Sequence, residues 1–281
     1  MIPEYDHEKL KEAQQGSLKI LLEVDRICRK YGIPYMLDAG TLIGAVRHQG
    51  FIPWDDDIDI AMTGEAYDRF CEHTEELGEA FAFLRPDDFA GGTRFFDFVP
   101  RVIYLDSRRR TSTEEQEFFE GKLNHLWVDI FILEPIPDGK IADWWVRFKQ
   151  KMYFGLGMRY RYALDWKKFS FSDWLKVKVL VCMGHFISLP RVFAKQSRLS
   201  RKYRGRTTKH LYYSNYQPDY MQCTVDTAWS SETAELEFEG HMLMVPKEYD
   251  AVLREIYGDY MKLPPEEKRV PTHSGDIEVL K

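Results

Sequence analysis

The stretch Ala39-Gly-Thr-Leu-Ile-Gly-Ala-Val-Arg47, followed closely by Phe51-Ile-Pro-Trp-Asp-Asp-Asp-Ile-Asp-Ile60, gathers four carboxylates where a β-strand should begin. Side chains alternate between faces in an extended strand, so Asp57 and Asp59 point one way while Ile58 and Ile60 point into a core. At a rise of roughly 3.3 Å per residue the two carboxylates stand about 7 Å apart along the backbone, close enough to converge on one hard cation or two adjacent ones. Magnesium suits such a site, because it is commonly held by one or two carboxylates plus substrate phosphates and keeps several waters. A solvated acidic turn is the ordinary alternative, and the isoleucine alternation argues against it. A calcium loop of EF-hand type beginning at Asp55 fails, since its Gly would fall on Ile60 and its bidentate Glu on Ala66.

A third acid is needed if two cations are held, and Asp129 in Leu126-Trp-Val-Asp-Ile-Phe-Ile-Leu133 supplies it. Alternation puts Val128, Ile130 and Ile132 on one side of that strand and Asp129 and Phe131 on the other. A lone Asp in an apolar strand costs several kcal/mol unless it is paired or bound to a cation. A salt bridge to one of the many arginines is the competing explanation.

The string from Tyr35 through Asp38-Ala-Gly-Thr41 to Trp54-Asp-Asp-Asp-Ile-Asp-Ile60 resembles the signature of LicD-type phosphotransferases, whose relatives include fukutin and fukutin-related protein. The resemblance extends to Trp127-Val-Asp-Ile-Phe131 and to a C-terminal block with Phe238-Glu-Gly, Val245-Pro, Tyr257-Gly-Asp-Tyr-Met-Lys-Leu-Pro-Pro265 and His273. It implies an α/β (α+β) fold, with a nucleotidyltransferase-like core and a mixed sheet. In that superfold a Gly-containing strand-to-helix turn precedes an Asp-x-Asp strand, and a third acid lies on a neighbouring strand. On that pattern Gly40 and Thr41 take the turn, Asp57 and Asp59 are the paired acids, and Asp129 is the third. The turn reads Gly-Thr where Gly-Ser is usual, and Asp55 and Asp56 have no fixed role. The implied activity is transfer of phosphocholine or a similar phospho-alcohol from a CDP-linked donor to a sugar hydroxyl of a cell-surface glycan, with Mg²⁺ or Mn²⁺ as cofactor.

The chemistry of the residues agrees with phosphoryl transfer, which demands positioning and neutralisation of charge more than covalent work. Arg47 and His48, on or just after the short helix that Thr41 begins, are expected to meet phosphate oxygens, as are the amides around Thr41 to Ile43. Arg101 is expected to be an inward cation and Asp129 a general base for the acceptor hydroxyl. Tyr257, Tyr260 and His273 are expected to close over the nucleotide or acceptor. A glycosyltransferase whose Asp-x-Asp binds a nucleotide-sugar through a metal is a rival enzyme reading, and a membrane-associated binding protein without turnover is a rival of another class.

The chain of 281 residues, 44% apolar and 15% aromatic, is long enough for one sizeable core. Cys28, Cys71, Cys182 and Cys223 form no Cys-x-x-Cys pair, so neither a zinc site nor a disulfide framework is indicated. The opening Met-Ile-Pro-Glu-Tyr-Asp-His-Glu lacks the basic and apolar parts of a signal peptide, and the expected location is cytoplasmic.

Charge divides the chain. Between Lys140 and His210 there are 18 Lys and Arg against 3 Asp, a net of +15 in a chain whose formal charge is −6. The same stretch interleaves Trp144, Trp145, Phe148, Trp166, Phe171 and Trp174 with its charges, a combination typical of interfacial helices. Its longest apolar run, Val179 to Pro190, is too short for the ~20 residues a bilayer span needs. Contact with a membrane surface or a lipid-linked glycan acceptor is therefore expected, in preference to nucleic acid. The expected organisation is a catalytic core at residues 1–139, a basic, aromatic-rich, mainly helical insertion at 140–210, and a segment at 211–281 that completes the core.

Periodicity predicts a helix over residues 6–31 stopped by Gly32-Ile-Pro34, a strand at Tyr35 to Asp38, a helix near Thr41 to Arg47 and another from Glu65 to Leu77. Phe95 to Leu105 reads as one or two strands, and Arg108-Arg-Arg-Thr-Ser as a loop by the phosphate pocket or a solvated turn. Gly240 to Val245 reads as a strand or hairpin and Lys247 to Tyr257 as a helix with Gly258 as αL cap, after which Pro264-Pro265 ends regular structure.

Overall fold

The computed structural model describes residues 6–271 and 277–280. Helix α1 (His7–Tyr31) starts where the Asp6 carboxylate accepts the Glu8 and Lys9 N–H groups, and stops at Gly32 in the αL region. Its apolar face, with Ile20, Leu21, Val24 and Ile27, lies fully buried across the sheet. Then come β1 (Met36–Leu37), α2 (Ala39–His48), β2 (Ile58–Thr63), α3 (Gly64–Cys71), β3 (Phe81–Leu84), β4 (Arg101–Tyr104), β5 (Ser107–Arg109), α4 (Glu114–Phe118) and β6 (Leu126–Ile136). Three helices follow, α5 (Lys140–Gly157), α6 (Phe171–Met183) and α7 (Leu189–Ser200). The chain returns through β7 (His210–Tyr213), β8 (Thr224–Asp226), β9 (Thr233–Phe238), β10 (His241–Pro246), α8 (Tyr249–Tyr257) and β11 (Ile277–Val279).

The fold is mixed α/β around a seven-stranded mixed sheet. Strand β6 is its spine: β2 runs parallel along one edge, while β4 and then β7 run antiparallel along the other. Between β4 and β7 the open edge is stitched by Asn215, whose side chain accepts the Ile132 N–H and donates to the Ile130 carbonyl. Ile58, Ile60, Val128 and Ile130 pack against α1 on one face. On the other face Phe131 and Leu133 pack with Leu211, Tyr213 and Val225. Helices α5 and α7 enclose a separate aromatic core with Phe95, Phe98 and Phe154.

Several local expectations are corrected. Only Arg101–Tyr104 of the Phe95–Leu105 stretch is a strand, because Asp97 turns the preceding chain by accepting the Val99 N–H. The segment near Arg108 is neither a loop nor a solvated turn; β5 pairs with β11, and Arg108 and Arg110 both reach Glu278. Regular structure thus resumes after Pro265. Gly258 has φ 67° but ψ −121°, outside the αL region expected of a helix cap. Helix α3 ends at Cys71, short of Leu77, with a separate 3₁₀ turn at Thr74–Glu76.

Gly44, in the middle of α2, shows how tightly the acidic loop is seated. A Cβ there would collide with the Gly50 carbonyl oxygen, a backbone atom that cannot rotate away. Alanine for glycine inside a helix ordinarily gains about 1 kcal/mol. Gly44→Ala is instead expected to destabilise by about 1–3 kcal/mol, the usual range for overpacking, as measured by urea denaturation. A stabilised variant would contradict the close approach.

Candidate active site

Register decides what faces what. Asp59 pairs with Asp129 across the parallel β2–β6 ladder, and Arg101 pairs with Asp129 across β6–β4, so the three side chains form one row on one face of the sheet. Asp57 stands just before β2, which begins at Ile58, and lines a small cleft together with Asp56, Trp127 and Asp129. Asp55, Asp56 and Asp57 also bring carboxylate oxygens within 4.8 Å of one another.

Backbone bonds centred on Asp59 fix the strand-to-helix turn. Its carbonyl accepts the Asp38 N–H at 3.0 Å and its N–H donates to Thr41 Oγ1 at 2.9 Å. The Thr41 hydroxyl therefore holds the Asp strand to α2, and the Leu42 N–H is spent on the Asp38 carbonyl. Gly40 is required by its neighbour, since a Cβ would stand 2.5 Å from Asp55 Oδ2. The Asp55 carboxylate thus lies against the first turn of α2, whose dipole favours negative charge. From the other side Gln14 of α1 donates to the Asp55 carbonyl at 2.7 Å.

Arg101 is 4% exposed. It donates to both Asp97 oxygens at 3.0 and 2.7 Å and to the Val99 carbonyl at 2.9 Å, and its Nε lies 2.8 Å from Asp129 Oδ1. The last approach is an ion pair without hydrogen-bond alignment, leaving Asp129 Oδ1 a buried acceptor with no donor. Asp129 also accepts from Trp127 Nε1 at 3.2 Å and keeps 18% of its side chain exposed, so it remains reachable.

Arg47 and His48 are not brought to this row. They close the far end of α2, about 10 Å along its axis from Gly40 at 1.5 Å per residue. Arg47 donates to the Tyr260 carbonyl at 2.7 Å and to His48 Nε2 at 2.9 Å. Burial, with the charge of Arg269, lowers the Arg47 pKa. Arg269 in turn sits 5.5 Å from the ring of Trp54, next in sequence to the acidic run. The Tyr260 hydroxyl donates to Asp250, and His273 lies outside the described residues.

Sequence reading gave no role to Asp38, Asp97, Tyr213, Tyr216 or Tyr220. Asp38 is buried at the start of α2 and accepts from the Tyr213 hydroxyl at 2.9 Å. Tyr216 stacks on Phe131 at 4.5 Å and on Tyr220 at 5.0 Å, and the pKa values of Tyr216 and Tyr257 are raised first by burial and then by Asp59 and Asp38. An aromatic wall therefore stands beside the acids. The available signal was the Asp-Phe alternation of Asp129-Ile-Phe131, which puts a ring on the acid face.

The carboxylates crowd one another. Burial, then Asp57, pushes Asp55 up to about 8. Burial pushes Asp38 up to about 6 and Asp129, despite Arg101, to about 6. Asp59 is raised well above the carboxylate range by burial and by Asp57, Asp129, Asp38 and Asp55. An all-oxygen set with excess negative charge and an acceptor lacking a donor fits a hard divalent cation.

The profile of the LicD/FKTN/FKRP nucleotidyltransferase domain matches residues 32–174, which span the whole acid row. The chain is 29% identical to the lipopolysaccharide cholinephosphotransferase LicD of Haemophilus influenzae over 96% of this chain and 98% of that protein. An uncharacterized protein of Rickettsia prowazekii is 29% identical over 37% of this chain and 42% of its own length. Human ribitol 5-phosphate transferase FKRP is 29% identical over 44% of this chain and 21% of its own.

A carboxyl whose pKa is raised by folding holds its proton more tightly in the native state, so stability falls as pH climbs from its unfolded pKa to its folded one. From the shifts of Asp38, Asp129 and Asp55, that window runs from about 4 to about 8. The metal-free protein is expected to melt higher near pH 5 than near pH 8, Asp55→Asn to remove part of that slope, and added Mg²⁺ or Mn²⁺ to restore Tm at the higher pH. Calorimetric melting checks this; an unchanged slope in Asp55→Asn would contradict the crowding.

Proposed function

The chain belongs to the LicD/FKTN/FKRP family, and from that premise we propose that it transfers phosphocholine, or a similar phospho-alcohol, from a CDP-linked donor to a sugar hydroxyl of a cell-surface glycan. The observation that supports this reading best is the row of Asp59, Asp129 and Arg101 on one sheet face, with Asp57 at its edge.

In this proposal Asp57, Asp59 and Asp129 hold one or two Mg²⁺ or Mn²⁺ ions. A metal held there would supply charge neutralisation on the diphosphate oxygens of the donor. The first turn of α2 directs the positive end of its dipole toward the same region. Arg101 holds the Asp129 carboxylate in a fixed orientation. Asp129, still partly exposed beside Trp127, accepts the proton of the acceptor hydroxyl. That oxygen then bonds to the phosphorus carrying the alcohol, and CMP leaves with the electrons of the broken P–O bond. Among donor alcohols the aromatic wall favours choline, whose quaternary ammonium is attracted to ring faces.

Calorimetric titration with CDP-choline, CDP-ribitol, CDP-glycerol and UDP-glucose, with and without Mg²⁺, tests the proposal. Metal-dependent binding of a CDP-alcohol is expected, with Asp57→Ala and Asp59→Ala lowering kcat/KM for transfer by about 10³-fold or more. Tyr216→Ala is expected to raise KM for CDP-choline about tenfold while leaving CDP-glycerol unaffected. Preference for UDP-glucose would point to a glycosyltransferase. Full glycan modification by the alanine variants would overturn the assignment of the acids.

A further inference from the structure

Helix α6 has no buried residue. Its sequence is nevertheless largely apolar, and Phe171, Leu175, Val179 and Met183, four apart, are exposed along a stripe about 18 Å long at 1.5 Å per residue. Phe171 is 83% exposed and Phe186, in the turn that follows, 91%. Helix α5 repeats the pattern: Ile141 is 77% exposed, and Trp144, Trp145 and Phe148 emerge beside it, with Trp144 stacked on Phe148 at 5.2 Å. Single exposed apolar residues need no explanation, but two neighbouring helices that each present such a stripe do.

The charge around these stripes identifies the partner. The three acids of residues 140–210, Asp143, Asp165 and Asp173, are each paired with a base on their own turn, Arg147, Lys168 and Lys176. Among the described residues, Arg201 and Arg204 reach Asp68 and Glu134, and Arg161 and Arg147 donate to the Phe96 and Met221 carbonyls. Lys178 Nζ lies 4.4 Å from the Trp174 ring and Lys149 Nζ 5.9 Å from that of Trp145, so ammonium groups and rings share one level. Between α5 and α7 a groove has buried Val146 and Leu199 beneath it and Lys140, Lys149 and Lys202 around it.

We propose that the α5–α6 face seats this protein on an anionic lipid bilayer, with the aromatic side chains at headgroup depth and the lysines on lipid phosphates. Trp and Tyr settle at that level, and amphipathic basic segments gain both apolar burial and attraction to anionic headgroups. A second copy of the same face is a poor occupant, because it would bring like charge against like. Crossing is also a poor fit: among the described residues no single helix is long and apolar enough to span, and in the bent pair of α6 with α7 the latter buries Leu189, Val192 and Leu199 in the protein.

Flotation of the purified full chain with vesicles tests the proposal and requires neither donor nor acceptor, so its outcome is independent of the transferase reading. The chain is expected to float with phosphatidylcholine vesicles containing phosphatidylglycerol, not with phosphatidylcholine alone, and to be released by high salt. Lys149→Gln and Lys178→Gln should each weaken binding about fivefold. Phe171→Ser with Phe186→Ser should abolish it; both positions are exposed, and unchanged thermal melting verifies the fold. Absence of binding, equal binding to neutral vesicles, or full binding by the double variant would overturn the proposal. So would a dimer of the parent chain that the double variant dissociates, or tighter binding to RNA than to vesicles.

Discussion

Two carboxylates placed directly across a parallel ladder repel, and the molecule is organised around the pairing of Asp59 with Asp129. Arg101, third in the row, offsets part of that repulsion, but a guanidinium 4% exposed needs its other donors satisfied as well. Asp97 satisfies them with two oxygens and is held by a loop whose Phe95 and Phe98 pack on Phe154. Arg161, at the end of that helical layer, donates to the Phe96 carbonyl of the same loop at 2.5 Å. The helices after β6 therefore reach the acid row through a chain of packing and ion pairs: helix core, loop, Asp97, Arg101, Asp129.

Much of the sheet was legible because its strands carry period-two patterns. Ile58, Ile60, Val128 and Ile130 do face α1, and Asp59 and Asp129 do share the opposite face. Helix α1 was legible from its apolar spacing and its Gly32 stop. What local pattern could not supply was pairing between distant segments. Nothing near Arg108 announces that Glu278 will meet it, or that a strand forms there from residues some 170 positions away. Asp97 was hidden among three phenylalanines, where its carboxylate is needed by a guanidinium on the following strand. Arg47 was read as a phosphate ligand because it follows the Gly40 turn in sequence. Seven residues of helix carry it from Gly40 to the opposite end, where the Tyr260 carbonyl accepts from it.

The site departs from local comfort in ways a purely structural sheet would not need. Ala39 takes a positive φ of 46° at the turn, Gly40 leaves no room between α2 and Asp55, and Gly44 lets the Gly50 carbonyl touch the helix. The two glycines bring the acidic loop against α2. The result concentrates carboxylates whose ionisation burial opposes, a cost that one arginine only partly offsets. Departures of this kind cluster where function requires them. A divalent cation would turn the same crowding into affinity, since every carboxylate that repels its neighbours attracts the ion.

The charge division has the same logic at larger scale. The net +15 of residues 140–210 does not serve to neutralise the acid row, whose cation, Arg101, comes from β4. Basic side chains of α5 to α7 that do reach the core meet Asp68 and Glu134, and Glu134 has the opposite strand parity to Asp129, so that it lies on the other face of the sheet. Excess positive charge left outside sets up a field that attracts anions over about a Debye length, whether diphosphates or lipid headgroups. If the acids take a cation before a diphosphate and the basic face gathers anions, as proposed above, the two would act in sequence on the same class of ligand, and merging them into one internally neutral array would forfeit both.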